Sequence, residues 1–232
     1  MLLRKFFSTS PAVVRVAPFV IFLLLTVGQG HFGPTSAYWF YLAKTLVGVW
    51  LIWEMRSFIS EMRWTFSWEA VVVGIGVFAV WVGISGEWTT QNSLWVKLGI
   101  SQPPKNPAPV WNPFEHFGSV AAWFFIAVRI LGSALVVPPI EEAFYRSFLY
   151  RYIASQDFMA VPLGKFLPVS FFGAAAIFGF SHNEWAAGIF CGMAYQWLVL
   201  RKKHLGDAMT AHAITNFLLG AWVVWKHAWN FW

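Results

Sequence analysis

Charge is what this sequence has least of. Asp, Glu, Lys and Arg make up 11% of its 232 residues, where a soluble chain of that length carries roughly a quarter. Too little polar surface remains to clothe a core in water, which excludes a soluble globular domain. Cysteine is nearly absent too: Cys191 is alone and lies in an apolar stretch, which excludes a disulfide framework. No internal repeat, inverted or direct, and no low-complexity tract is present. The net charge of +6 is not gathered into a basic patch interleaved with aromatics, so nucleic acid is excluded as a partner. The clearest basic run, Arg201, Lys202 and Lys203, reads instead as a cytoplasmic orientation signal.

What the chain does have is apolar surface, 58% of residues with a mean hydropathy of +0.58. Lipid is the natural solvent for it. Apolar windows fall at about 12–28, 37–53, 70–85, 118–137, 143–155, 168–182, 185–200 and 208–225, and a crossing helix needs ~20 residues. The expected fold is all-α: one integral membrane domain over 1–232, a polytopic transmembrane bundle of seven or eight hydrophobic segments. Many of the 16 tryptophans end apolar runs (Trp39, Trp53, Trp68, Trp88, Trp225, Trp229, Trp232), where an amphipathic ring suits the headgroup layer. Trp123 and Trp197 are expected in the core. Arg4 and Lys5 precede the first apolar run without an A-x-A cleavage site, so that run reads as a retained span with a cytoplasmic N-terminus. Prolines at 103, 104, 107, 109 and 113 exclude a long helix between 86 and 117.

Orientation can be tested on Lys and Arg outside the spans. Eight crossings put six on each side, a poor result under the positive-inside rule. If the 185–200 window dips in and returns, the balance becomes eight to four. Sixteen residues reach only about 24 Å as a helix, so a re-entrant element is expected there.

Strongly polar groups inside a membrane are costly and mark functional sites by default. They gather in three places. Glu141 and Glu142 follow the pair Pro138-Pro139 and read as the opening of a helix, whose N-terminus favours negative charge. Glu142 and Arg146 share a face at i, i+4, while Glu141 points about 100° away and is left free. Capping alone would also explain both carboxylates. His182 closes a glycine-rich apolar run, where a hydrogen-bonded core histidine is the blander reading. His212 and Asn216 project from one helix face at i, i+4, as interhelical glue also could.

Taken together, Glu141-Glu142-x-x-x-Arg146, Phe178-x-x-x-His182 and His212-x-x-x-Asn216 resemble the CPBP family of type II CAAX prenyl endopeptidases and related bacteriocin-processing proteins. Some of its bacterial members accompany protein-sorting systems. The resemblance covers 138–219, the expected protease motif region; the N-terminal half adds only hydropathy. It implies an intramembrane endopeptidase acting near the C-terminus of a membrane-associated or lipidated protein. In that reading Glu141 and His182 hold and deprotonate a water, and His212 and Asn216 stabilise the oxyanion. Glu142 and Arg146 fix the helix that carries Glu141. With a re-entrant 185–200, these groups all meet near the inner membrane face.

No cofactor is favoured. A zinc-type divalent metal on Glu141, His182 and His212 is the nearest rival, since these are common ligand types, although no His-Glu-x-x-His is present. The rival from another class is a non-catalytic scaffold or immunity-type protein that uses the same polar groups structurally. Partners are a protein or peptide substrate in or at the membrane, and the bilayer itself. Elsewhere, Asp207 is expected to cap the last helix and Lys44 to snorkel. Arg129, mid-span, is paired by guess with Glu184. Asn183 and Glu184 break a helix or line a cavity, and His31, His116, His204 and His227 read as loop or interfacial residues.

Overall fold

The computed structural model describes residues 2–86, 89–102 and 110–232, and all of its regular structure there is helical. Trp88, Lys105 and the prolines at 103, 104, 107 and 109 lie outside the described residues. Nine helices are described: α1 Leu2–Phe7, α2 Val13–Val27, α3 Ser36–Met55, α4 Trp68–Ile84, α5 Gln91–Lys97, α6 Ser119–Ala154, α7 Pro168–Phe180, α8 Trp185–Lys202 and α9 Gly206–Lys226.

Two of them, α6 and α9, are long and apolar enough to cross a membrane, and α2, α4 and α7 are shorter apolar helices. Only a third of the most apolar stretch of α6 is buried. Leu24, Leu46, Val72, Val120, Val169 and Phe172 each leave more than half of their surface exposed. A bundle that turns this much large apolar surface outward is matched to lipid rather than to water.

Close helix contacts rest on small residues, as in membrane bundles generally. A Cβ added at Gly74 of α4 would sit 2.7 Å from the Ala211 carbonyl of α9. One at Gly188 of α8 would sit 2.8 Å from the Gly179 Cα of α7. Thr215 of α9 reinforces the first contact by donating to the Gly74 carbonyl at 2.8 Å.

Seven helices (α2, α3, α4, α6, α7, α8 and α9) run alternately between two ends. One end gathers residues 2–15, 56–67, 151–167 and 201–205. There Arg15 and Arg151 both reach Glu61, Leu205 N–H donates to the Glu61 carbonyl, and Lys202 pairs with Glu69. The other end gathers α5, the α7–α8 turn and the C-terminus. Thr90 bridges Glu184, Gln91 N–H donates to the Asn183 carbonyl at 2.8 Å, and Trp111 packs on Trp232 and Tyr38.

Three expectations from the sequence are corrected here. The 118–137 and 143–155 windows are one continuous helix, α6, so the prolines open no new helix. The 185–200 window does not turn back: α8 starts beside the Thr90–Glu184 bridge and ends at the Lys202–Glu69 pair. Parity is restored by merging two windows, not by folding one back. Trp123 and Trp197 are not in the core either, being 54% and 45% exposed; an apolar ring gains nothing from the interior when the solvent is itself apolar.

Candidate active site

Proline lacks an N–H and its ring crowds the preceding turn. Within α6 this is absorbed by two π turns, Gly132–Val136 and Ala143–Leu149, which flank the Pro138-Pro139-Ile140-Glu141-Glu142 stretch. Such turns are frequent at functional sites. The carbonyls one turn before the prolines lose their helical donors, and α9 supplies a substitute: Asn216 Nδ2 donates to the Ser133 carbonyl at 2.8 Å. The two glutamates consequently sit deep inside a helix that begins at Ser119, not at a helix N-terminus.

Glu142 is fully buried. Its Oε2 accepts from Arg146 Nε at 3.1 Å, and its Oε1 lies 3.0 Å from His212 Nδ1. An ionised carboxylate offers no proton, so Nδ1 carries the hydrogen and donates. Tyr195 stacks on the same imidazole at 5.0 Å, and its hydroxyl donates to Thr215. His212 is thereby fixed in tautomer and plane.

The other face of that ring meets Glu141. Glu141 Oε2 is 4.0 Å from His212 Nε2, beyond hydrogen-bond reach, and it is a buried oxygen with no hydrogen-bond partner. Buried carboxylate oxygens are ordinarily satisfied.

His182 ends α7. Its Nδ1 lies 2.7 Å from the Phe178 carbonyl, one turn back; the ring N–H therefore donates there and Nε2 is left as an acceptor. Phe178 and Trp81 pack against the ring at 4.5 and 5.5 Å. Ser181 beside it accepts from the Tyr145 hydroxyl at 3.0 Å.

His182, His212 and Asn216 line one cavity of about 550 Å³. Two cations that sequence reasoning assigned elsewhere line it as well. Lys44 does not snorkel: it is 6% exposed, its Nζ lies over the Tyr41 and Phe22 rings, and it donates to Thr26. Arg129 is not paired with Glu184. Its guanidinium is held among Tyr41, Trp111 and Trp232 at 4.5–5.3 Å, while Glu184 accepts from Asn183. Asn183 and Glu184 line the cavity. Nothing local in the sequence signals that Lys44 and Arg129 would turn inward, because their surroundings come from helices far apart in the chain.

Asp207 does not cap α9. It accepts from the Thr65 and Ser67 hydroxyls and faces His204 at 3.3 Å, pinning the loop before α4 to the start of α9. The Arg15, Glu61, Ser147 and Arg151 cluster at the basic end was not anticipated at all.

The metal-ligand set Glu141, His182 and His212 is not assembled as one. Among the described residues no three His, Cys, Asp or Glu side chains are disposed to hold an ion, and His212 Nδ1 is committed to Glu142.

Of the cavity's lining residues, those from Arg129 to Asn216 fall in one stretch of chain. Residues 122–218 match the family model for type II CAAX prenyl endopeptidase, Rce1-like. That stretch runs from within α6 to within α9 and includes Glu141, Glu142, Arg146, His182, His212 and Asn216. No curated protein and no solved structure gives a significant match to the chain. The Rce1-like match leaves α1 to α5 outside, so Lys44 and Trp81 reach the cavity from the unmatched part.

Proposed function

We propose that the chain is a multi-pass membrane endopeptidase that cuts a peptide bond near the C-terminus of a membrane-associated or lipidated protein. Seven helices cross, and the N-terminus is cytoplasmic. The observation that carries the reading is Glu141 Oε2: a buried carboxylate oxygen without a partner, 4.0 Å from His212 Nε2. The reading requires a water held at ~2.8 Å from the carboxylate.

Glu141 and His182 hold the water, and Glu141 takes its proton as the oxygen attacks the scissile carbonyl carbon. The C–O bond forms and the carbonyl electrons move to oxygen. His212, its Nδ1–H given to Glu142, donates to that oxyanion when Nε2 also carries a hydrogen. Asn216 keeps one N–H beyond the bond to Ser133 and donates as well. Donors of this kind contribute about 3–4 kcal/mol each in hydrolases. Collapse breaks the C–N bond, and the proton held by Glu141 goes to the leaving amine. Arg146 and the Glu142 carboxylate hold His212 and the Glu141 turn in place.

The scaffold alternative is disfavoured by the same oxygen. Interhelical glue consists of satisfied hydrogen bonds, and Glu141 Oε2 makes none. The test is Glu141→Gln, which keeps the shape and removes the base. Cleavage of a membrane-anchored reporter should fall by about 10²–10⁴-fold; cleavage at the parental rate would end the proposal.

A further inference from the structure

The cavity and the positive charge lie at opposite ends of the bundle. Ten of the sixteen Lys and Arg residues belong to the segments 2–15, 56–67, 151–167 and 201–205, which the Arg15–Glu61, Arg151–Glu61 and Lys202–Glu69 pairs gather at one end. At the other end only Lys97 and Lys226 are present among the described residues. Lys44, Arg129 and Arg146 are inside helices. Cytoplasmic loops of membrane proteins carry the excess of Lys and Arg, so ten against two assigns the basic end to the cytoplasm.

No residue of the four basic-end segments lines the cavity. Its rim is Asn92, Val110, Asn183, Glu184, Asn230 and Trp232, all held at the far end by the Thr90–Glu184 bridge and the Trp111–Trp232 contact. Three of the six are amides, which both donate to and accept from an extended backbone. The groove at the basic end, beside Glu61, Arg151 and Lys165, contains none of the proposed catalytic residues.

We infer that the cavity opens on the extracytoplasmic face, so that its substrate is a polypeptide anchored in the membrane with its scissile segment displayed at that surface. The substrate half of this statement rests on the hydrolase reading; the side on which the cavity opens does not. It also excludes a protein confined to the cytoplasm, lipidated or not, as the substrate.

The test uses the full chain with Cys191 replaced by alanine and one new cysteine at a time: Asn92→Cys or Asn230→Cys at the rim, Lys165→Cys at the basic end. All three positions are exposed. Intact bacterial cells are treated with a membrane-impermeant maleimide, then compared with permeabilised cells. Rim cysteines should be modified in intact cells, and the Lys165→Cys chain only after permeabilisation. The reverse pattern overturns the inference, and so do rim cysteines that stay unmodified under both conditions. Labelling needs no cleavage, so it is independent of the Glu141→Gln result: loss of the hydrolase reading leaves the labelling outcome intact, and the converse.

Discussion

Helix α6 carries two buried charge clusters about two turns apart, and they differ in how completely they are satisfied. At the basic end Glu61 accepts from Arg15 at 2.7 Å, from Ser147 at 2.6 Å and from Arg151 at 3.1 Å. Ser147 in turn accepts from Arg15 and Arg151, so its hydroxyl is saturated, and the second Glu61 oxygen accepts from Ser60 at 3.4 Å. Burial pushes the Glu61 carboxyl up, but the Arg15 charge and the hydrogen bonds from Ser147 and Arg15 outweigh it, leaving it lowered to about 2. In the second cluster, which meets the cavity at His212, Arg146, Glu142 and His212 form a chain, yet Glu141 Oε2 and both terminal nitrogens of Arg146 remain without hydrogen bonds. The same residue types, on the same helix, build a closed network in one place and an open one in the other. A closed network is what stability selects; an open one keeps groups available for a reacting molecule.

The comparison breaks most severely at Glu142, which belongs to the open cluster but is itself fully satisfied. Glu142→Gln should cost about 3–5 kcal/mol, because Arg146 is left buried and uncompensated, and it should lower the cleavage rate of the molecules that still fold. Unfolding midpoint and turnover, measured on the same preparation, check both halves. Glu61→Ala should cost a similar or slightly smaller ~3 kcal/mol by the same logic while leaving turnover per folded molecule unchanged. Asn216→Ala should do the opposite, slowing cleavage about 10²–10³-fold with a small change in midpoint.

The pH dependence of stability sharpens the contrast further. The folded-state pKa of Glu61 lies below its ordinary value of 4.5, so its contribution is complete above about pH 4.5 and is lost as pH falls towards 2. About 3 kcal/mol at most is involved, from ~1.4 kcal/mol per unit. Unfolding midpoints taken across that window should slope in the parent and flatten in Glu61→Gln.

How much of this was readable beforehand follows from how local each signal is. The membrane class came from composition, and the i, i+4 relations of Glu142 with Arg146 and of His212 with Asn216 came from helical geometry. Pro138 and Pro139 misled, because the rule that proline ends a helix assumes α geometry and the flanking π turns relax it. The charge tie between the two sides was a real signal attached to the wrong window: it reported that 118–155 is one helix, and 185–200 was blamed. The Glu61 cluster joins residues 46 to 132 positions apart, a separation at which no periodicity speaks.

The central claim is that the open cluster is reactive and the closed one structural. Cleavage rate and unfolding midpoint, measured side by side for Glu141→Gln and Glu61→Gln in detergent or nanodiscs, test it most directly. The account predicts that Glu141→Gln loses cleavage by at least about 10²-fold at an unchanged midpoint, while Glu61→Gln loses midpoint and keeps its rate. A Glu141→Gln protein that cleaves normally, or that loses activity only in proportion to its unfolding, would contradict it.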